Sequence, residues 1–179
     1  MHKDVEKILL NEEEIAKICK NLGAKITEDY KGKDLLVVGI LKGSIVFFSD
    51  VIRNVDLDIK LDFMVVSSYG TGATTSGMVQ ILKDISVDIK DRHLLIVEDI
   101  VDTGVTLYNV KNVLLERGAA SVKICTFLDK PSRRTADITA DYIGAVVPDE
   151  FVIGYGLDYA EKYRNLPYLG VLKRQVYEK

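Results

Sequence analysis

Three carboxylates and two hydroxyls fall within one short stretch, Glu98-Asp99-Ile100-Val101-Asp102-Thr103-Gly104-Val105-Thr106. The apolar run Leu94–Val97 precedes it and reads as a buried strand, and a helical pattern starts at Thr103. Backbone N–H groups over 102–106, with the Thr103 and Thr106 hydroxyls, would form a nest at the positive end of that helix. Such a nest fits a phosphate. Glu98 and Asp99 can accept hydrogen bonds from vicinal hydroxyls, or hold Mg²⁺ directly or through water. An ordinary helix cap with acids in its first turn accounts for Asp102. It does not call for two more acids at the strand end. No GxxxxGK[ST] occurs, which excludes a P-loop. Gly70-Thr71-Gly72-Ala73-Thr74-Thr75 lacks the third glycine of a dinucleotide fingerprint, and a strand rather than a helix follows it.

The surrounding pattern supplies the scaffold. Asn11 followed by Glu12, Glu13 and Glu14 reads as a helix start, and Ile15, Ile18, Cys19, Leu22 and Ile26 continue at a helical period. Leu35–Leu41 is a fully apolar run, the mark of a buried parallel strand. A helix from Gly43 carries Ile45, Val46, Phe48, Ser49 and Ile52. Leu57–Val66 and Met78–Leu82 read as strands around Tyr69–Gly77, a run of small and polar residues expected to be a mobile loop. Thr103–Arg117 reads as a helix stopped by Gly118, and Val122–Leu128 as a further strand. This alternation predicts an α/β fold with a largely parallel sheet. Residues 1–179 form one domain on this reading, with a core of roughly 30–140. The N-terminal segment and the strand- and turn-rich, aromatic residues 141–179 form a cap.

Composition removes several classes of function. The chain of 179 residues is 47% hydrophobic and 28% charged, which excludes disorder. Its net charge of -3 argues against a nucleic-acid partner. No apolar run approaches the ~18 residues of a membrane span, and Met1–Asn11 has no signal-peptide core. Cys19 and Cys125 lack any CxxC spacing and read as reduced, buried thiols of a cytoplasmic protein. With His2 and His93 the only histidines, a zinc site lacks ligands.

Val97–Leu107 closely resembles the phosphoribosyl-diphosphate signature of the purine phosphoribosyltransferases. The resemblance runs through nearly the whole chain. It includes Leu41-Lys42-Gly43-Ser44, Ser68-Tyr69, Lys130, and the segment Pro148 to Tyr159 with Arg164. The segment 151–164 narrows it to the 6-oxopurine enzymes, the hypoxanthine-guanine phosphoribosyltransferases of the compact bacterial type. It implies the type I phosphoribosyltransferase fold: a parallel sheet flanked by helices, with a small hood and a mobile loop. It also implies purine salvage. Ribose 5-phosphate moves reversibly from 5-phosphoribosyl 1-diphosphate to hypoxanthine or guanine, giving IMP or GMP and diphosphate, with Mg²⁺. A homo-oligomer, dimer or tetramer, is implied as well.

The resemblance also assigns roles. Asp102 is the general base facing purine N7. Glu98 and Asp99 engage the ribose hydroxyls and the metal-bound substrate. Thr103, Gly104, Val105 and Thr106 bind phosphate, with backbone N–H groups doing the work at Val105. Lys42, with the Gly43 and Ser44 amides, meets the departing diphosphate, and the family carries a non-proline cis peptide at Leu41–Lys42. Lys130 donates to the purine 6-oxo group, Phe151 stacks on the purine, and Val152 offers backbone groups to its edge. Asp158 binds a second Mg²⁺ and Arg164 the diphosphate. Ser68 and Tyr69 belong to the lid. Two other readings remain: a nucleotide-sensing regulator on the same fold, and a sibling transferase acting on xanthine or pyrimidines.

Overall fold

A computed structural model describes residues 1–68 and 79–178. Six strands form the central sheet: β2 (Leu35–Leu41), β3 (Lys60–Ser68), β4 (Val79–Lys83), β5 (His93–Val101), β6 (Ser121–Asp129) and β7 (Tyr142–Val146). Their order is β4-β3-β2-β5-β6-β7. All neighbours are parallel except β4, which runs antiparallel to β3. Helices α1 (Glu12–Asp29) and α2 (Ile45–Ile52) pack in one apolar cluster, and α3 (Val105–Glu116) packs in the other. A second sheet of β1 (Val5–Leu10), β9 (Leu169–Leu172) and β8 (Val152–Ile153) joins the two ends of the chain.

The alternation of a strand explains the layering. Leu35 and Val37 of β2 face the α1/α2 cluster, while Leu36, Val38 and Ile40 face the α3 cluster. Both faces are buried, which is why the run is apolar throughout. α1 begins as expected. The Asn11 side chain accepts from the Glu14 N–H at 2.9 Å, and the Glu14 carboxylate accepts from the Asn11 N–H at 2.8 Å.

Several expectations are corrected. β5 does not stop at Val97. Its pairing with β6 continues through Glu98–Thr126 to Val101–Asp129, so Glu98 and Asp99 lie within the strand. α3 starts at Val105 rather than Thr103, with Gly104 as its cap at φ 80°. β3 starts at Lys60 rather than Leu57, because Leu57 and Ile59 pack on the core from the preceding loop. β7 pairs with β6, so the central sheet runs on to Val146 and takes residues expected in the cap. β4 starts at Val79, and the expected loop over 69–77 lies outside the described residues, as does Met78.

α1 and the end of α2 approach at Gly23. A Cβ there would come within 2.4 Å of the Asn54 carbonyl oxygen and 2.5 Å of its Cβ. Helix propensity alone favours alanine over glycine by about 1 kcal/mol. The backbone contact outweighs that gain, because it must push two packed helices apart. Gly23→Ala should therefore lower the thermal midpoint. A midpoint at or above wild type would show that the helices part without cost.

Candidate active site

β2 and β5 are the strands from which the chain leaves in opposite directions across the sheet, the switch point where ligands bind in such folds. Their pairing ends at Gly39–Val97, while β5 continues to Val101 against β6 alone. A cavity of about 360 Å³ opens there. Leu41, Gly43, Glu98, Asp99, Asp102, Thr103, Gly104 and Thr106 line it, with Asp158 and Arg164 opposite. A helix leaves its first N–H groups without intrahelical partners, so the start of α3 presents donors to this cavity. The Thr103 carbonyl accepts from the Thr135 and Ala136 N–H groups at 3.0 and 3.1 Å, which ties the turn down from behind.

Glu98 and Asp99 are partly buried and adjacent, and this sets their charge. Burial pushes the Glu98 carboxyl well above the usual carboxylate range, and the neighbouring Asp99 charge adds to it. Burial also raises Asp99, against hydrogen bonding and the Arg164 charge, which lower it. A Cβ on Gly43 would fall on Asp99 Oδ2, so any other residue here would make the Asp99 carboxylate swing aside. The Leu41–Lys42 peptide bond is cis. Hard carboxylate oxygens from Glu98, Asp99 and Asp158 along one cavity suit Mg²⁺, which keeps several waters and takes the rest of its shell from substrate oxygens. Among the described residues no three His, Cys, Asp or Glu side chains gather into a complete protein cage.

The cationic side chains are paired internally. Arg164 Nη2 lies 2.8 Å from Asp158 Oδ1 and 3.5 Å from Glu161 Oε1. Lys42 Nζ lies 3.2 Å from Glu161 Oε2. The Ser44 hydroxyl donates to the Ile40 carbonyl at 2.6 Å and the whole residue is buried, so Ser44, expected at the diphosphate, is turned into the fold and does not line the cavity. Val105 is exposed and does not line the cavity, whereas Gly104 and Thr106 on either side of it do. Ser68 ends β3, and Tyr69 lies outside the described residues.

A second cavity of about 440 Å³ shares Ile100, Asp102 and Asp158 with the first. Lys130, Phe151, Val152 and Leu157 form its walls. Lys130 is buried, with Nζ donating to the Glu150 carbonyl at 2.9 Å. Together the cavities offer a phosphate turn, acids for hydroxyls and metal, a carboxylate at the junction, and a buried ammonium beside an aromatic ring. That set can hold a phosphorylated sugar and a flat heterocycle side by side.

Three charged residues at this site carried no signal in the reading of the sequence. Arg133 Nε lies 3.3 Å from Asp102 Oδ1. Glu161 bridges Lys42 and Arg164 from a left-handed position at φ 62°. Arg134 donates to the carbonyls of Val101 (3.1 Å), Asp102 (3.0 Å) and Ile138 (2.7 Å), and it pairs with the Asp129 carboxylate. The one available clue was two consecutive arginines just after the β6 end, Lys130-Pro131-Ser132-Arg133-Arg134.

Comparison with known proteins agrees with this geometry. The family model of the phosphoribosyl transferase domain matches residues 6–160. The chain is 55% identical over 179 residues to a hypoxanthine-guanine phosphoribosyltransferase of Staphylococcus epidermidis, covering all of both chains. A crystal structure of a hypoxanthine phosphoribosyltransferase from Staphylococcus aureus superposes with a TM-score of 0.97 at 54% identity, covering 100% of this chain and 97% of that one. The hypoxanthine phosphoribosyltransferase of Trypanosoma cruzi, solved as a ternary substrates complex of a lysine-to-arginine mutant, gives 0.94 at 41% identity, with coverage of 98% and 100%.

Arg134 generates a test of the scaffold. Its side chain and that of Asp129 are 15% and 10% exposed, so removing one partner leaves a nearly buried charge. Such losses cost about 3–5 kcal/mol. Arg134→Met should lower the denaturation free energy by that amount. A loss below ~1 kcal/mol, the usual ceiling for an exposed pair, would contradict the buried-tether account.

Proposed function

The chain belongs to the phosphoribosyltransferase family, and from that premise we infer how its own residues carry the reaction. It is a purine salvage transferase, moving the 5-phosphoribosyl group from 5-phosphoribosyl 1-diphosphate to hypoxanthine or guanine. IMP or GMP and diphosphate are the products. The observation that carries the site assignment is the pair of joined cavities with Asp102 at their junction. The test is a turnover assay with the sugar diphosphate, Mg²⁺ and each of hypoxanthine, guanine, xanthine and adenine.

The 5-phosphate sits on the turn Thr103–Thr106 at the start of α3, where aligned N–H dipoles favour an anion. Glu98 and Asp99 accept from the ribose hydroxyls. As the C1′–oxygen bond breaks, positive charge grows on the sugar, and these carboxylates stabilise it in place. Glu98 and Asp99 would hold one Mg²⁺ and Asp158 a second, and when bound they would supply charge neutralisation for the departing diphosphate. Lys42 and Arg164 receive that diphosphate, leaving Glu161 as they do so. Purine N9 bonds to C1′, and the N7 proton passes to Asp102. Phe151 stacks on the ring, Val152 offers backbone groups to its edge, and Lys130 donates to the 6-oxo group. A regulator on this fold has no need for a general base and a diphosphate-binding pair together, so the enzyme reading is favoured. No helix among the described residues is long and apolar enough to cross a membrane. Two buried free thiols support a cytoplasmic location. Assembly into a homo-oligomer, dimer or tetramer, is part of the proposal, and sedimentation velocity tests it.

Asp102→Asn should preserve the fold and lower kcat by about 10²–10⁴-fold, the usual contribution of a general acid–base group. Single-turnover rates are the measurement, so that slow product release cannot mask the effect. Rates equal to wild type would remove Asp102 from the proton transfer.

Lys130 carries three donors and no acceptor, so it pairs with a carbonyl and not with the 6-amino group of adenine. Sites built on such a bond reject an analogue lacking it by about 10⁴-fold or more. Lys130→Ala should sharply reduce kcat/KM for hypoxanthine and narrow the hypoxanthine-to-adenine ratio. If the ratio is unmoved, Lys130 does not read the 6-position.

A further inference from the structure

The base cavity has a wall that neither the phosphate turn nor Lys130 supplies. Arg174, Tyr177 and Glu178 line it beside Phe151 and Val152. They belong to the C-terminal turn α4 (Arg174–Tyr177) and the residue after it. Backbone bonds aim this turn. The Leu172 N–H donates to the Phe151 carbonyl at 2.8 Å, and the Lys173 N–H donates to the Asp4 carbonyl at 3.0 Å. Lys173 Nζ also donates to the Lys3 carbonyl at 2.7 Å. The chain's two ends thus anchor the turn beside Phe151.

The rings then meet in a defined way. Tyr177 lies stacked with Phe151, centroids 5.0 Å apart and planes 28° apart. Tyr159 meets Phe151 edge-on at 5.4 Å and 89°. Phe151 is 38% exposed, so the main core does not hold its ring. Tyr159 and Tyr177, by contrast, pack on the cluster of Val5, Ile153 and Leu172. The exposed ring is held by two anchored ones.

We propose that Tyr177 is a positioning residue for the purine: it fixes the Phe151 ring in the orientation on which the base stacks. This rests on the reading of Phe151 as the stacking residue. A ring held in place before binding loses less freedom when the base arrives, which strengthens binding without a new contact to the base. The effect should fall on the base alone. Tyr177 does not line the cavity of the phosphate turn, and neither Lys42 nor Arg164 lines the base cavity.

The experiment uses the full chain and three variants: Tyr177→Ala, Tyr177→Phe and Phe151→Leu. KM for hypoxanthine, KM for the sugar diphosphate, kcat and the thermal midpoint are measured for each. Tyr177→Ala should raise the hypoxanthine KM by about 3–10-fold, the range expected for one aromatic pair. The sugar diphosphate KM and kcat should stay within about twofold of wild type on the same argument. Tyr177→Phe keeps the ring and should restore the hypoxanthine KM. Phe151→Leu tests the underlying reading: an unchanged hypoxanthine KM there sinks the Phe151 assignment itself. If Phe151→Leu raises that KM and Tyr177→Ala does not, the Tyr177 proposal alone is overturned. A lower KM in Tyr177→Ala would mean that the ring obstructs the slot, and it overturns the proposal too. A rise in both KM values with a falling midpoint would reduce Tyr177 to a structural role.

Discussion

The site depends on one constraint of the sheet: β2 and β5 part before either strand ends. Parallel pairing between them ends at Gly39–Val97, and β5 continues to Val101 beside β6 alone. Beyond that pair β2 runs on to Leu41 against β3 and β5 to Val101 against β6, so Glu98 and Asp99 border the crevice where the two strands separate. The loop leaving β2 must turn aside within Leu41–Gly43, and Gly43 leaves room for the Asp99 carboxylate. Arg134 then fixes the end of β5 by its carbonyls at Val101 and Asp102. The turn over 102–104 that leads into α3 inherits its place from that fixed end.

Charge is the second organising feature. Carboxylates outnumber cations along the first cavity, and its Arg164 already has Asp158 and Glu161 as partners. Burial holds Glu98 and Asp99 toward their protonated forms. A metal-bound, highly anionic substrate suits such a site. On the proposed reading a bound metal would relieve the acids, and phosphates would take over the cations. Without ligand, the internal ion pairs hold Lys42 on Glu161 and Arg164 on Asp158 and Glu161.

The hood is fastened to the core by a few buried rings. Tyr155 packs on Phe127 at 4.8 Å, and its hydroxyl donates to Asp50 at 2.6 Å. This ties the segment carrying Phe151, Val152 and Asp158 to the α1/α2 layer. The small sheet of β1, β9 and β8 holds the other side. The cavity lined by Lys130, Phe151 and Val152 thus has a wall tied to the core and another tied to the small sheet.

Local chemistry was legible in the sequence. Strand interiors showed as apolar runs because both faces of the central strands are buried, as at Leu35–Leu41. The α1 start showed because Asn11 and Glu14 satisfy each other within four residues. The acid–threonine turn showed because the residues that line the cavity there are contiguous in the chain. Strand ends did not show: Glu98 and Asp99 are too polar to read as strand, and only pairing with β6 carries β5 past Val97. β7 looked like hood because its place in the sheet comes from a partner, β6, and not from its own pattern. Arg133, Arg134, Glu161 and Tyr177 each gain a partner far away in sequence, as Tyr177 does in Phe151. A charge or a ring has no partner until the chain is folded, so tertiary structure alone decided which of them belong to the site.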